Sequence, residues 1–121
     1  MTLALVSAGG ALGALARYGL SRALEGTGGA FPVGTLAVNM SGALLLGFLS
    51  VYLVDRIEVS PALRNGINGG FIGAYTTFST FSLEAITLAQ AGRGGTAAAY
   101  LAVSVVGGLT LAWVGQRLAQ G

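Results

Sequence analysis

An all-helical integral membrane domain with four spans is the fold this sequence predicts, and three observations carry it. Of 121 residues, 54% are hydrophobic and 8% charged, where soluble domains carry about 25% charged residues. Mean hydropathy is +0.77. Apolar stretches near the roughly 20 residues a helix needs to cross a bilayer recur between short connections rich in breakers. The length holds one such domain, residues 1–121.

The first span is expected over about residues 2–24, where Gly9 and Gly13 form a small-xxx-small pattern that lets a second helix approach. It lacks the basic leader of a signal peptide. Arg17 sits in its C-terminal half, either snorkelling to the interface or facing a water-filled vestibule. Glu25 to Pro32 is a short connection. The second span, about 32–54, opens on Pro32 and carries one strongly polar side chain, Asn39. Its amide either bonds a neighbouring helix or offers N–H groups to a passing anion. After Asp55, Arg56 and Glu58, Ser60-Pro61 signals the start of the third span.

That third span, about 62–91, contains the least helical stretch of the chain, with four glycines between Gly66 and Gly73 followed by Thr76-Thr77-Phe78-Ser79-Thr80. Glycine costs a helix about 1 kcal/mol relative to alanine, and Ser and Thr hydroxyls compete for backbone partners. Two readings stand: a broken helix that exposes carbonyls and N–H groups to ions, or a continuous helix whose small residues fill a helix–helix contact. Unwound backbone survives in a bilayer only when it is buried in protein or lines a cavity. Arg93-Gly94-Gly95 closes the third loop, and the fourth span, about 96–116, carries Tyr100 and Ser104.

Charge excludes some functions and suggests an assembly. Without Cys or His, thiol and imidazole catalysis, disulfides and common transition-metal sites are ruled out. No basic cluster points to nucleic acid, and Glu84, the one deeply placed acid, has no partner carboxylate for enzymatic acid–base work. With four spans, Arg56, Arg64 and Arg117 share the side of the termini, and Arg17, Arg22 and Arg93 lie opposite. The usual Lys/Arg bias that fixes orientation is missing, which favours insertion both ways up and an antiparallel homodimer.

Three motifs go beyond generic membrane packing. They are Gly9-Gly10-x-x-Gly13-Ala14-x-x-Arg17-Tyr18, then Pro32-x-Gly34-Thr35-Leu36-x-Val38-Asn39-x-x-Gly42, then Gly69-Gly70-Phe71-x-Gly73-x-x-Thr76-Thr77-Phe78-Ser79-Thr80-Phe81-Ser82-x-Glu84. In this order the chain closely resembles the Fluc/CrcB family of fluoride channels over nearly its whole length. The fourth span matches more loosely.

The resemblance implies a passive, fluoride-selective channel exporting fluoride across the cell (inner or plasma) membrane, not an enzyme. It also implies an antiparallel dual-topology homodimer in lipid, with two pores, a broken third helix and a central structural Na⁺. Backbone carbonyls of Gly73 and Thr76 would hold that Na⁺. Phe78 and Phe81 would line the fluoride path with Asn39, Ser79 and Thr80, and Tyr100 and Ser104 would continue it. Arg17 would face the vestibule, and Glu84 would bond near the pore. These residue types suit anion passage. Hydroxyl and amide donors replace fluoride's water without a fixed charge that would trap it, and ring edges are electropositive. Without the motif, Phe78 and Phe81 would read as ordinary core or lipid-facing residues. Four-span multidrug transporters carry an acid in the first helix, and Thr2 to Ala16 has none. A non-conducting packing subunit is the other rival, and the two differ in whether the purified protein conducts.

Overall fold

Breaker residues set the helix ends in the computed structural model, which describes residues 1–121 and contains no strand. Helix α1 (Thr2–Ala23) gives way to a connection that turns through Gly26 and Gly29 at φ 81° and 64°, backbone that a Cβ disfavours. Helix α2 (Val33–Val51) follows Pro32 and widens into a π turn, Tyr52–Arg56. Ser60 caps α3 (Pro61–Arg64) by accepting from Leu63 N at 3.2 Å. Pro61 stands at the first helical position, where its missing N–H is harmless.

The helical path continues through a π-helical segment, Asn65–Ile72, and α4 (Gly73–Tyr75). It stops at Thr76 (φ −86°, ψ 156°) and Thr77 (φ −146°, ψ 118°), where the backbone is extended. Helix α5 (Phe78–Gln90) resumes it, and α6 (Gly94–Gln120) ends the chain. The sequence suggests a break at Gly73–Thr76, but the glycines stay helical and the extended residues are the two threonines. Glycine tolerates the wider π winding, whereas Thr76 and Thr77 are held outside the helix by side chains described below.

Three helices, Thr2–Ala23, Val33–Arg56 and Gly94–Gln120, are long and apolar enough to cross a membrane. The third path is divided. Its second piece, α5, has 13 residues, a rise of about 20 Å, too short to cross an apolar core of about 30 Å alone.

Close approach of backbones decides the packing. A Cβ on Gly13 of α1 would collide with the Phe71 carbonyl, and one on Gly47 of α2 with the Ala112 carbonyl of α6. Leu5 meets Gly66, Gly13 meets Phe71 and Arg17 meets Ala74, so α1 runs parallel to the first half of the broken path. Met40 beside Gly107 and Gly47 beside Ala112 make α2 parallel to α6 in the same way. Helix α5 leans on α6 through a small core of Phe81, Ala85, Leu88, Ala97 and Tyr100.

Arg56, beyond α2, reaches the far end of α6. It donates through Nε to Ala119 O at 3.0 Å and through Nη2 to Gln120 O at 3.1 Å. Those are carbonyls a helix C-terminus leaves unpaired. Only 17 of 121 residues are buried, while Leu12, Leu15, Phe78, Leu109 and Trp113 are exposed. An exterior this apolar is one that lipid or protein covers.

Candidate functional site

The chemistry of this chain gathers where its third helical path is interrupted. Asn39 of α2 grips the break at Thr77 through both backbone groups of that residue. Its Oδ1 accepts from Thr77 N at 2.8 Å, and its Nδ2 donates to Thr77 O at 3.1 Å. The side-chain amide thus supplies the partners that a helix would otherwise give Thr77. From α1, Arg17 Nε donates to Ala74 O at 3.2 Å, a cation placed at the carbonyl end of a helix, where the backbone dipole favours it. Thr77 Oγ1 then caps α5 by accepting from Thr80 N at 3.2 Å.

The break leaves carbonyl oxygens without their helical partners. Thr77 N, which would return to Gly73 O in a continuous helix, goes to Asn39 instead. No hydrogen bond reaches the Thr76 carbonyl. The Thr76 hydroxyl is used locally, donating to Ile72 O at 3.1 Å. Backbone oxygens freed in a low-dielectric setting are costly unless a donor or a cation meets them.

Two cavities flank this region. The inner one, about 370 Å³, is lined by Asn39, Thr76, Thr77, Phe78, Phe81 and Ser104 among others, and none of its lining residues carries a charge. Ser104 Oγ is buried there without a hydrogen-bond partner. The outer cavity, about 450 Å³, opens between α1 and the α1–α2 connection, with Arg17, Arg22, Phe31, Thr35, Thr80 and Glu84 in its wall.

The residues singled out in the sequence divide between these places. Asn39, Phe78, Phe81, Ser104 and Thr76 meet at the inner cavity, and Arg17 and Thr80 at the outer one. Phe78 is 80% exposed while Phe81 is buried, although their rings lie 5.9 Å apart. One aromatic wall of the inner cavity is therefore completed on the outer surface of the subunit. Tyr100 is fully buried and lines neither cavity. Its ring stands edge-on to Phe81 at 5.1 Å and to Phe31 at 5.6 Å, and its hydroxyl donates to Glu84 Oε1 at 3.3 Å. Ser79 is exposed at the head of α5, its Oγ 3.4 Å from Thr77 Oγ1. Gly73 is exposed beside the break.

Sequence reasoning does not single out Phe31 or the pair Ser41–Tyr75. Phe31 comes from a loop and shows no periodic signal, but it precedes the Pro-x-Gly-Thr motif directly. Ser41 stands out in the sequence only as a polar neighbour of Asn39.

Comparison with known proteins places the chain in a family. Residues 4–116 match the family described as "CrcB-like protein, Camphor Resistance (CrcB)". The chain is 42% identical to the protein named fluoride-specific ion channel FluC 2 of Geobacillus kaustophilus (strain HTA426), over 99% of this chain and 94% of that one. It is 47% identical to the FluC 2 of Symbiobacterium thermophilum (strain DSM 24528 / JCM 14929 / IAM 14863 / T), over 97% and 96%. The fluoride-specific ion channel FluC 2 of Moorella thermoacetica (strain ATCC 39073 / JCM 9320) is 49% identical over 91% and 89%. Matched along nearly its whole length and built of membrane-crossing helices, the chain is a multi-pass membrane protein of the CrcB-like family.

Proposed function

We propose that this protein is a channel through which fluoride passes down its gradient, exporting the ion across the cell membrane. The observation that carries the reading is the inner cavity: two phenylalanines, an asparagine amide and a buried, unpartnered serine hydroxyl in a wall without charge. A strongly hydrated anion gives up water only to other donors, and a site that is passed quickly must hold it weakly. The Ser104 hydroxyl is free to turn its proton toward such an ion. Asn39 has committed one N–H and its carbonyl to Thr77, which leaves its second N–H to donate. Phe78 and Phe81 offer ring edges, the electropositive part of an aromatic.

Arg17 supports the entrance. Its guanidinium lies in the wall of the outer cavity while its Nε is tied to Ala74 O, so the charge draws anions from water without standing in the uncharged wall of the other cavity. Thr80 adds a hydroxyl to the wall of the outer cavity, and Ser79 beside it adds another, exposed at the break. Tyr100 donates to Glu84 in the wall of the outer cavity and packs on Phe81 in the wall of the inner one, and on this reading the pair borders the track on the side of α6.

The exposure of Phe78 supports a pathway completed by a second copy. Balanced arginines on the two sides support antiparallel pairing, with one pathway along each side of the dimer. The freed carbonyls of Gly73 and Thr76 fit a monovalent cation such as Na⁺, because neutral backbone oxygens at a helix break suit a hard, singly charged ion. Bound there, Na⁺ would compensate backbone oxygens left in a dry interface and hold two copies together.

The test is efflux from liposomes loaded with potassium fluoride or potassium chloride, followed by ion-selective electrodes. Rapid release of fluoride with chloride retained is the expected result. Retention of both ions by well-folded protein would make this a packing subunit and overturn the proposal.

A further inference from the structure

Beside the Asn39 clamp lies a second contact between α2 and the break. Tyr75, the residue just before the extended threonines, is buried at 8% exposure. Its ring stacks on Phe71 at 6.0 Å with 10° between planes, and its hydroxyl lies 2.9 Å from Ser41 Oγ. Ser41 Oγ already donates its one proton to Val38 O at 3.1 Å. Tyr75 must therefore be the donor, and the two hydroxyls form a short relay, Tyr75 O–H to Ser41 O–H to the Val38 carbonyl. Gly42, next along α2, lets this happen: a Cβ there would strike Thr76 Cγ2 and crowd Tyr75 Cδ2.

We infer that the Tyr75–Ser41 hydrogen bond is a positioning contact that fixes the backbone between the Gly73 and Thr76 carbonyls, and so tunes the affinity of the cation they hold. The inference rests on the cation reading given above. Its basis is mechanical. Where a helix loses its backbone bonds, peptide planes turn until something else fixes them. Ala74 is fixed through its carbonyl by Arg17 and Thr77 through both backbone groups by Asn39. The Thr76 carbonyl shares its planar peptide group with the Thr77 N–H that Asn39 holds, and Thr76 N donates to Ile72 O at 3.1 Å; between that fixed end and the free Gly73 carbonyl stands Tyr75. A ring packed on Phe71 and tied at its tip to α2 allows the Tyr75 backbone little rotation about the chain. The Ala74–Tyr75 and Tyr75–Thr76 peptide groups inherit that restraint, and with them the spacing between the Gly73 and Thr76 oxygens one peptide further out on each side. Asn39 holds the far side of the break, and Ser41 holds the near side.

Tyr75→Phe is a clean probe, because the ring stays and Ser41 keeps its bond to Val38. Ser41→Ala removes the acceptor from the other end, and Tyr52→Phe, a hydroxyl loss near the second loop, serves as control. Thermal unfolding of the purified protein in detergent is followed over a series of NaCl concentrations with choline chloride keeping ionic strength constant. Binding to the folded protein alone raises Tm with ligand concentration. Wild type and Tyr52→Phe should show the same Na⁺-dependent rise. Tyr75→Phe and Ser41→Ala should need about fivefold more Na⁺ for the same rise, the scale of one lost hydrogen bond. The double variant should be no worse than the worse single one, and fluoride efflux at saturating Na⁺ should persist. A purely structural role would lower Tm equally with and without Na⁺, leaving the increment unchanged, and that result overturns the inference alone. No Na⁺ effect in wild type would overturn the cation reading and this inference with it.

Discussion

A carboxylate in place of the Asn39 amide is the sharpest test at the scale of one residue. Asp at 39 could still accept from Thr77 N, but it would set a negative oxygen against Thr77 O, where Nδ2 now donates at 3.1 Å. It would also place a full negative charge on the wall of the inner cavity. Asn39→Asp should abolish fluoride efflux in liposomes, and Asn39→Ser, which keeps a donor, should retain part of it. At the aromatic wall, Phe78→Ile and Phe81→Ile should each slow efflux by about tenfold or more, equivalent to about 1.4 kcal/mol in barrier. They should differ in stability. Phe78 is exposed in the subunit, so its loss should leave Tm within a degree or two in the absence of dimer effects. Phe81 packs against Tyr100 in the α5–α6 core, and reshaping it should cost about 1–3 kcal/mol. Undiminished efflux in both phenylalanine variants would move the pathway elsewhere.

Helices and loops show which parts of this fold the sequence announces and which it hides. Length and apolar content are enough for three of the helical paths, because backbone in hydrocarbon has no partner but itself. Ser60-Pro61 marks a helix start by a local rule, a cap and a missing N–H, whose partners lie within three residues. The site of the break is harder to read. Glycine run and threonine pair both weaken a helix, and nothing local says which will yield. The outcome depends on Asn39, 38 residues away, and on α1 pressing so closely that Gly13 has no room for a Cβ against Phe71. Arg56 is equally hidden: read along the chain it is a loop charge, yet it caps α6 at Ala119 and Gln120. Two consequences follow. Gly13→Val should drive α1 from the first half of the broken path and reduce the yield of folded protein sharply. Arg56→Ala should cost about 1–2 kcal/mol and speed hydrogen exchange in the last turn of α6, leaving exchange elsewhere and fluoride selectivity unchanged. Uniform loss of protection across α6 would mean the clamp is global rather than terminal.

For the whole molecule the open question is orientation, and the chain's charges frame it. Arg56 is bound to the carbonyls that end α6, so the second loop lies with the C-terminus on one side. Arg17 and Arg22 line the outer cavity with Thr80 and Glu84, toward the opposite end. Each side thus carries arginines in comparable number, and the electrostatic term that normally keeps Lys and Arg cytoplasmic nearly cancels. On the proposed antiparallel reading, a single molecule has no strong reason to choose one orientation. The exposed Phe78 beside a buried Phe81 gives an inverted neighbour something to cover, since a two-fold axis in the membrane plane brings like surfaces together from opposite sides. A cysteine introduced at Arg93, in a chain that has none of its own, reports the outcome. Membrane-impermeant maleimide applied outside intact cells should label about half of the copies, and permeabilisation should expose the rest. Adding two lysines to the Arg93 loop should bias insertion to one orientation and lower efflux, and co-expression with a copy biased the other way should restore it. Labelling of all copies from one side in the unaltered protein, with efflux intact, would require a parallel assembly.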